Sequence, residues 1–342
     1  MSGVKHDRCR GGDEPRIALV LGAGGPVGHA FHAGSLAALE DVIGWDPRRA
    51  DVLMGTSAGA EVAALLRAGL EAADLPARIA GEPLSPKGTE SAANYLRPDH
   101  GPFPFHLYRP LAKSLPVWLG DRLWRRRRVP GPLLAALLPL GEVDLTGQEL
   151  GFTRMFPGGW PKKNLWLVSM RVGDGRRVVL GRGETPRPKV GEAVTASGAL
   201  PGVNPPVEID GSLYVDGGLR SATNLDLLLD EREGPPPERV LVSSPLTCAP
   251  RLTPSSWIRP ARLLLAHRLA VEIRALRRRG IPVHVLQPSG AVLSAMGINP
   301  FSVERMEKVA RAARRATGRA LRRAGRGSMA QLENALTASS QR

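Results

Sequence analysis

Ile17-Ala18-Leu19-Val20-Leu21 is an unbroken apolar run that stops at Gly22-Ala23-Gly24-Gly25, and Asp51-Val52-Leu53-Met54 runs in the same way into Gly55-Thr56-Ser57-Ala58-Gly59. A short apolar run closed by glycines is the pattern of a strand buried on both faces. Helical spacing follows each run: Phe31, Leu36, Leu39 and Val42 within 28–42, with Gly44 placed to end the helix, and then Ala58 to about Leu70. Two strand–loop–helix units in succession require parallel strands joined by right-handed crossovers. The expected fold class is therefore α/β, a three-layer sandwich around a central, mostly parallel sheet, with functional loops at the carboxyl ends of the strands.

The same rhythm predicts strands at Leu165–Val172, Arg177–Leu180, Arg239–Ser243 and Val283–Leu286, and helices at Val190–Ser197, Pro260–Arg279 and Val303–Arg326. Between about 81 and 150 it is lost. Prolines recur there, Arg125 to Arg128 is an unbroken basic run, and an apolar stretch from Val129 to Leu140 follows, so the segment reads as an inserted cap or lid. The expected organisation is a polar tail over 1–15, one domain over 16–330 carrying the cap, and a frayed tail over 331–342. In the last helix Lys308, Arg311, Arg315, Arg319, Arg322 and Arg326 form one stripe and Met306, Val309, Ala313, Ala320 and Ala324 the opposite one, as in a helix docked on the sheet with a solvated basic face.

The 342 residues supply ample core, at 42% hydrophobic and 23% charged. The formal charge of +15 rests on 47 basic residues, only seven of them Lys. Such an Arg bias suits either a GC-rich coding sequence or attraction to an anionic membrane surface, with Arg125–Arg128 and the C-terminal Arg-rich helix as the contacts. Nucleic acid is disfavoured because no recognised binding module accompanies the charge. Cys9 and Cys248 form neither a disulfide framework nor a metal-ligand set. Met1 to Pro15 lacks an apolar signal core, and no apolar run reaches the ~20 residues that cross a bilayer. The expectation is a cytoplasmic protein, peripheral to a membrane if associated with one at all.

Chemistry concentrates at Ser57. A serine on a sharp turn between a buried strand and a helix presents its hydroxyl above the sheet, while Gly55 and Gly59 allow the tight backbone and close helix packing. The bland alternative is a serine that only caps the helix. A nucleophilic serine needs a base, and the seven histidines offer no clear candidate: His6 lies in the tail, His29 and His32 on the first helix, His100 and His106 in the insert, His267 on a long helix, and His284 within a strand, where a core or edge role suits it better than that of a base.

Three blocks in order resemble the patatin-like phospholipases: the Gly-rich loop, Gly55-Thr56-Ser57-Ala58-Gly59, and Ala196-Ser197-Gly198-Ala199-Leu200-Pro201-Gly202 followed by Tyr214-Val215-Asp216-Gly217-Gly218 and Asn224. The resemblance implies a serine acyl-ester hydrolase working through a Ser–Asp dyad, with Ser57 as nucleophile and Asp216 as general base and acid. It also implies an oxyanion hole from backbone N–H groups, for which Gly24 and Gly25 are the candidates, and lipid or other acyl esters as substrates. No metal or organic cofactor is implied. On spacing alone, Asp216-Gly217-Gly218 would serve equally as a hairpin turn.

The first loop departs from the family pattern twice. Its glycines Gly22 and Gly28 are present, but Ala23 stands where a Gly is expected and Val27 where many members carry Arg or Lys. These departures keep open a second reading, a catalytically weak protein of this fold that binds lipid or a partner. A dinucleotide site built on the same Gly-rich loop is disfavoured, because Gly55-Thr56-Ser57 occupies the place of the acidic residue that would hold a ribose.

Overall fold

The computed structural model describes residues 16–93, 141, 143–183, 186–230, 235–248 and 259–323. Eight strands form one sheet: β1 (Ile17–Leu21), β2 (Val52–Gly55), β3 (Asn164–Arg171), β4 (Arg177–Leu180), β5 (Val207–Ile209), β6 (Ser212–Asp216), β7 (Arg239–Ser243) and β8 (Val283–Leu286). β8, β7, β1, β2 and β3 lie side by side and parallel, as the paired apolar runs require. Alternation along β1 separates two cores. Leu19 and Leu21 share a core with the helices α1 (Gly25–Ile43), α2 (Ala58–Ala68) and α3 (Asp74–Ala80) and, beyond the short α4 (Pro86–Ala93), which adds no residue to it, with α5 (Thr146–Met155) and α6 (Val190–Gly198), whereas Ala18 and Val20 face the long α7 (Arg259–Arg278).

β4 and β6 both pair antiparallel with β3, and their registers fix where β6 lies. Leu167 pairs with Gly55 on β2 and with Leu180 on β4, so β2 and β4 occupy opposite edges of β3. Ser169 pairs with Val178 on β4 and with Asp216 on β6, so β6 must share the β2 edge. β2 therefore runs up that edge to Gly55 and β6 comes down it to Asp216, and the two strands meet end to end.

Several sequence expectations are refined. α1 starts at Gly25, three residues before the predicted Gly28, because Pro26 has the backbone angle of a first helical turn. Gly44 and Gly69 end α1 and α2 with left-handed backbone. The turn at Asp216-Gly217-Gly218 is not a hairpin: Gly217–Leu219 is a single 3-10 turn, and the β5–β6 hairpin is made by Asp210 and Gly211, both at positive φ. In the last helix, the 3-10 turn Val303–Arg305 leads into α9 (Met306–Arg323), while residues from 324 on lie outside the described residues.

α9 follows α8 (Gly290–Met296) and docks on α1 rather than directly on the sheet. Its buried side is Val309, Ala310, Ala313, Thr317, Gly318 and Leu321; Ala320, predicted to be buried, is exposed. A Cβ on Gly34 of α1 would lie 2.1 Å from the Ala310 carbonyl oxygen, so the missing side chain sets how closely the two helices cross. Of the predicted cap, α4 and the start of α5 are described; Arg125–Arg128 and the apolar stretch after it lie outside the described residues. No helix among the described residues is long and apolar enough to cross a membrane.

Candidate active site

β2 delivers the chain into Thr56-Ser57, and α2 begins at Ala58. Ser57 sits at φ 55° and ψ −125°, a conformation that side-chain-bearing residues rarely adopt and that costs on the order of 1–3 kcal/mol. Gly59 makes the turn sterically feasible, since a Cβ there would lie 2.0 Å from the Leu21 carbonyl oxygen of β1. Although Ser57 occupies the N-cap position of α2, its hydroxyl makes no capping hydrogen bond. That removes the bland reading of this serine.

The hydroxyl instead lies near enough to the Asp216 carboxyl to favour its ionised form. Asp216 is only 4% exposed and lies on the same face of the sheet as its register partner Ser169, the face that α2 and α6 cover. Burial pushes its carboxyl up to about 6, against the opposing effects of hydrogen bonds from Ser57 and from the Gly218 N–H, which reaches Oδ1 at 2.6 Å. The negative charge of Glu61 adds to the rise. The Asp216 N–H donates to Ala199 O at 2.9 Å, tying the strand end to the segment after α6.

The Gly-rich loop is held from three sides. Gly22 donates to Ser243 O and Ala23 to Ala222 O, and the Pro245 ring occupies the space in which Gly24 and Gly28 would carry Cβ atoms. Gly25 has φ 60° and its Cβ would meet Pro300 O at 2.7 Å. The N–H groups of Gly24 and Gly25 have no acceptor among the described residues, which suits them to receive an external oxygen. Ala23 is accommodated because Gly218 has no side chain: a Cβ there would lie 3.1 Å from that of Ala23. Val27 is buried with Phe31, Val292 and Val309, so position 27 faces an apolar core.

Three further groups, to which the sequence had assigned no role, support the site. Ser197 Oγ accepts from the Ser57 N–H at 3.0 Å and donates to Val168 O at 2.7 Å. Asn224, buried and with left-handed backbone, donates to Thr56 Oγ1 at 3.2 Å and to Ser221 O at 2.7 Å, and accepts from Arg177. His32 lies fully buried beneath the Gly-rich loop. Its Nε2 is 2.8 Å from Gly22 O, which can only accept, so Nε2 carries the proton and Nδ1 accepts from Ser243 Oγ at 2.7 Å. Burial depresses His32 to about 3, outweighing the Gly22 bond, and it is therefore a neutral support for the loop. Ser197 and Asn224 were visible as members of the matched blocks; for His32 the sequence held no signal. His284 stays on the edge strand β8, and His6, His100 and His106 lie outside the described residues.

The fold defines the class: a three-layer α/β protein whose polar cluster sits at the carboxyl ends of its parallel strands. Residues 19–229 match the family model for Patatin, described as patatin-like phospholipase, and the chain belongs to this family, one of lipid acyl hydrolases. The match runs from β1 past Asn224 and includes all three blocks. Among curated proteins, none matches the chain. No group of three or more His, Cys, Asp or Glu side chains suited to a metal ion occurs among the described residues.

Proposed function

We propose that the protein hydrolyses acyl esters of lipids through a Ser57–Asp216 dyad, releasing fatty acid by way of an acyl-enzyme. The observation that carries this reading is the buried Asp216 carboxyl at the strand end that meets the Ser57 turn, with its proton affinity raised towards neutrality by burial. A carboxylate of ordinary acidity would be a poor acceptor of a serine proton; one lifted to about 6 is matched to work near pH 7 while still ionised.

Ser57 Oγ attacks the ester carbonyl carbon as its proton passes to Asp216. Negative charge gathers on the carbonyl oxygen, where the N–H groups of Gly24 and Gly25 and the amino end of α2 stabilise it. The tetrahedral intermediate collapses, the C–O bond breaks, and Asp216 returns the proton to the departing alcohol. Water then attacks the acyl-enzyme with Asp216 again taking a proton, and the fatty acid leaves as Ser57 Oγ recovers its hydrogen. The cap expected over 81–150 belongs to this reading. Gln148 of α5 supports this role, since it reaches Glu61 one turn beyond Ser57.

The test is hydrolysis of a short-chain p-nitrophenyl ester and of phospholipid vesicles by wild type, Ser57→Ala and Asp216→Asn. Both variants should lose at least about a thousandfold in kcat with folding intact. Full activity in either variant would rule out the dyad, and a wild type inactive on every ester would favour the binding protein.

A further inference from the structure

Residues 221–225 touch both arms of the site. Ala222 O accepts from the Ala23 N–H at 2.8 Å, one residue before Gly24 in the Gly-rich loop, and Asn224 Nδ2 donates to Thr56 Oγ1 at 3.2 Å, one residue before Ser57. The segment is braced within itself. Ser221 Oγ accepts from the N–H groups of Thr223 and Asn224 at 3.3 and 3.0 Å, and Asn224 Nδ2 returns a bond to Ser221 O at 2.7 Å. A Cβ on Gly22 would lie 3.0 Å from Ala222 O, so the segment meets the loop backbone to backbone. A shift of 221–225 therefore moves the Gly-rich loop relative to the serine turn.

Glu272 of α7 grips this segment from the sheet face opposite α2 and α6. One oxygen, Oε2, accepts from Thr223 Oγ1 at 2.7 Å and from the Leu225 N–H at 3.0 Å, so the two bonds bracket Asn224. Glu272 is only 5% exposed, and it lies beyond residues 19–229, where the family match ends. Burying a carboxylate is costly unless hydrogen bonds compensate it, and burial pushes this one above its ordinary value despite the hydroxyls of Ser221 and Thr223. Resting on the dyad reading, we propose that Glu272 is a positioning residue: through Thr223 and Leu225 it fixes residues 221–225, and with them the spacing of the Gly24 and Gly25 N–H groups from the Ser57 hydroxyl. Both bonds end on one oxygen, so the role needs an acceptor and not a charge. The competing role, a tie between α7 and the sheet, would affect stability without altering that spacing.

The experiment measures kcat and KM on a short-chain p-nitrophenyl ester for wild type, Glu272→Leu, Glu272→Gln, Asn224→Ala and the double variant Glu272→Leu with Asn224→Ala. Glu272→Leu should lower kcat by roughly ten- to a hundredfold with KM within about twofold, because the reacting groups are misaligned while the substrate still binds. Glu272→Gln should stay within about threefold of wild type, since the amide oxygen can accept both bonds. Glu272 and Asn224 act through one segment, so the double variant should lose less than the product of the two single losses. Wild-type kcat in Glu272→Leu, equal losses in Glu272→Gln and Glu272→Leu, or losses that multiply in the double variant would each overturn the proposal. If Glu272→Leu does not fold, Thr223→Val removes one of the two bonds with the side-chain shape kept; its kcat should fall severalfold at unchanged KM, and an unchanged kcat overturns the proposal. Failure of the dyad itself would appear separately, as activity surviving in Asp216→Asn.

Discussion

Ser197 Oγ lies 3.0 Å from the Ser57 backbone nitrogen and holds it by accepting its hydrogen while donating to Val168 O at 2.7 Å. One hydroxyl thus fastens the strained serine turn to β3, the strand that also carries Asp216 through β6. Ser197→Ala leaves a buried N–H and a buried carbonyl without that partner, at a cost of about 1–3 kcal/mol. On the proposed mechanism it should also lower kcat by up to about a hundredfold with little change in KM, because Ser57 is misplaced while substrate binding is untouched. Steady-state kinetics beside thermal melting would separate the two effects.

Asp216 should be a liability for stability. Its carboxyl rises from 3.8 to about 6 on folding, so the native state resists ionisation more than the unfolded chain does. Below pH ~4 both states are protonated and nothing is lost. The penalty grows as pH rises through this window and is complete above about 6, where it reaches at most about 3 kcal/mol. Asp216→Asn should therefore melt higher than wild type at pH 8 and nearly equal to it at pH 4, and melting curves at the two pH values check the sign.

His32 should act in the opposite direction. With its pKa lowered from 6.5 to about 3, the folded protein excludes a proton that the unfolded chain takes up. Its contribution is present above pH ~6.5 and is lost as pH falls towards 3, by on the order of 4–5 kcal/mol in total. The His32 imidazole resonances should not titrate between pH 5 and 8, and His32→Gln should lose this acid-dependent component of unfolding.

The glycines of the matched blocks should differ sharply in tolerance. Gly59→Ala forces a methyl against the Leu21 carbonyl oxygen and pushes α2 away from β1, at about 1–3 kcal/mol or more and with loss of ester hydrolysis. Gly198, at the end of α6, has no positive φ, and a Cβ added there would meet nothing within 4 Å. Gly198→Ala should therefore stabilise the helix by up to about 1 kcal/mol, as denaturant unfolding would measure.

The parallel core was readable in the sequence because its strands are buried on both faces and closed by glycines: β7 and β8 were predicted at their observed bounds, and β1, β2 and β3 within a residue or so. The β5–β6 hairpin was not, since β5 is three residues long and Leu213 of β6 is exposed, which leaves little alternation to detect. Ser57 could be singled out because its signal is local. The partnership of Glu61 with His29 and Gln148 could not, because it joins α2, α1 and α5, and each residue alone looks like a solvated helix position.

The end-to-end meeting of β2 and β6 on one edge of β3 has a consequence for how such a chain can vary in length. The spacing between Ser57 and Asp216 is counted in rungs of β3, so residues gained or lost in the loop between β4 and α6 leave it unchanged. A single residue inserted within β6 is different, since alternation would turn the Asp216 carboxylate to the α7 face. Length is free to drift on one side of that strand and fixed to the residue on the other.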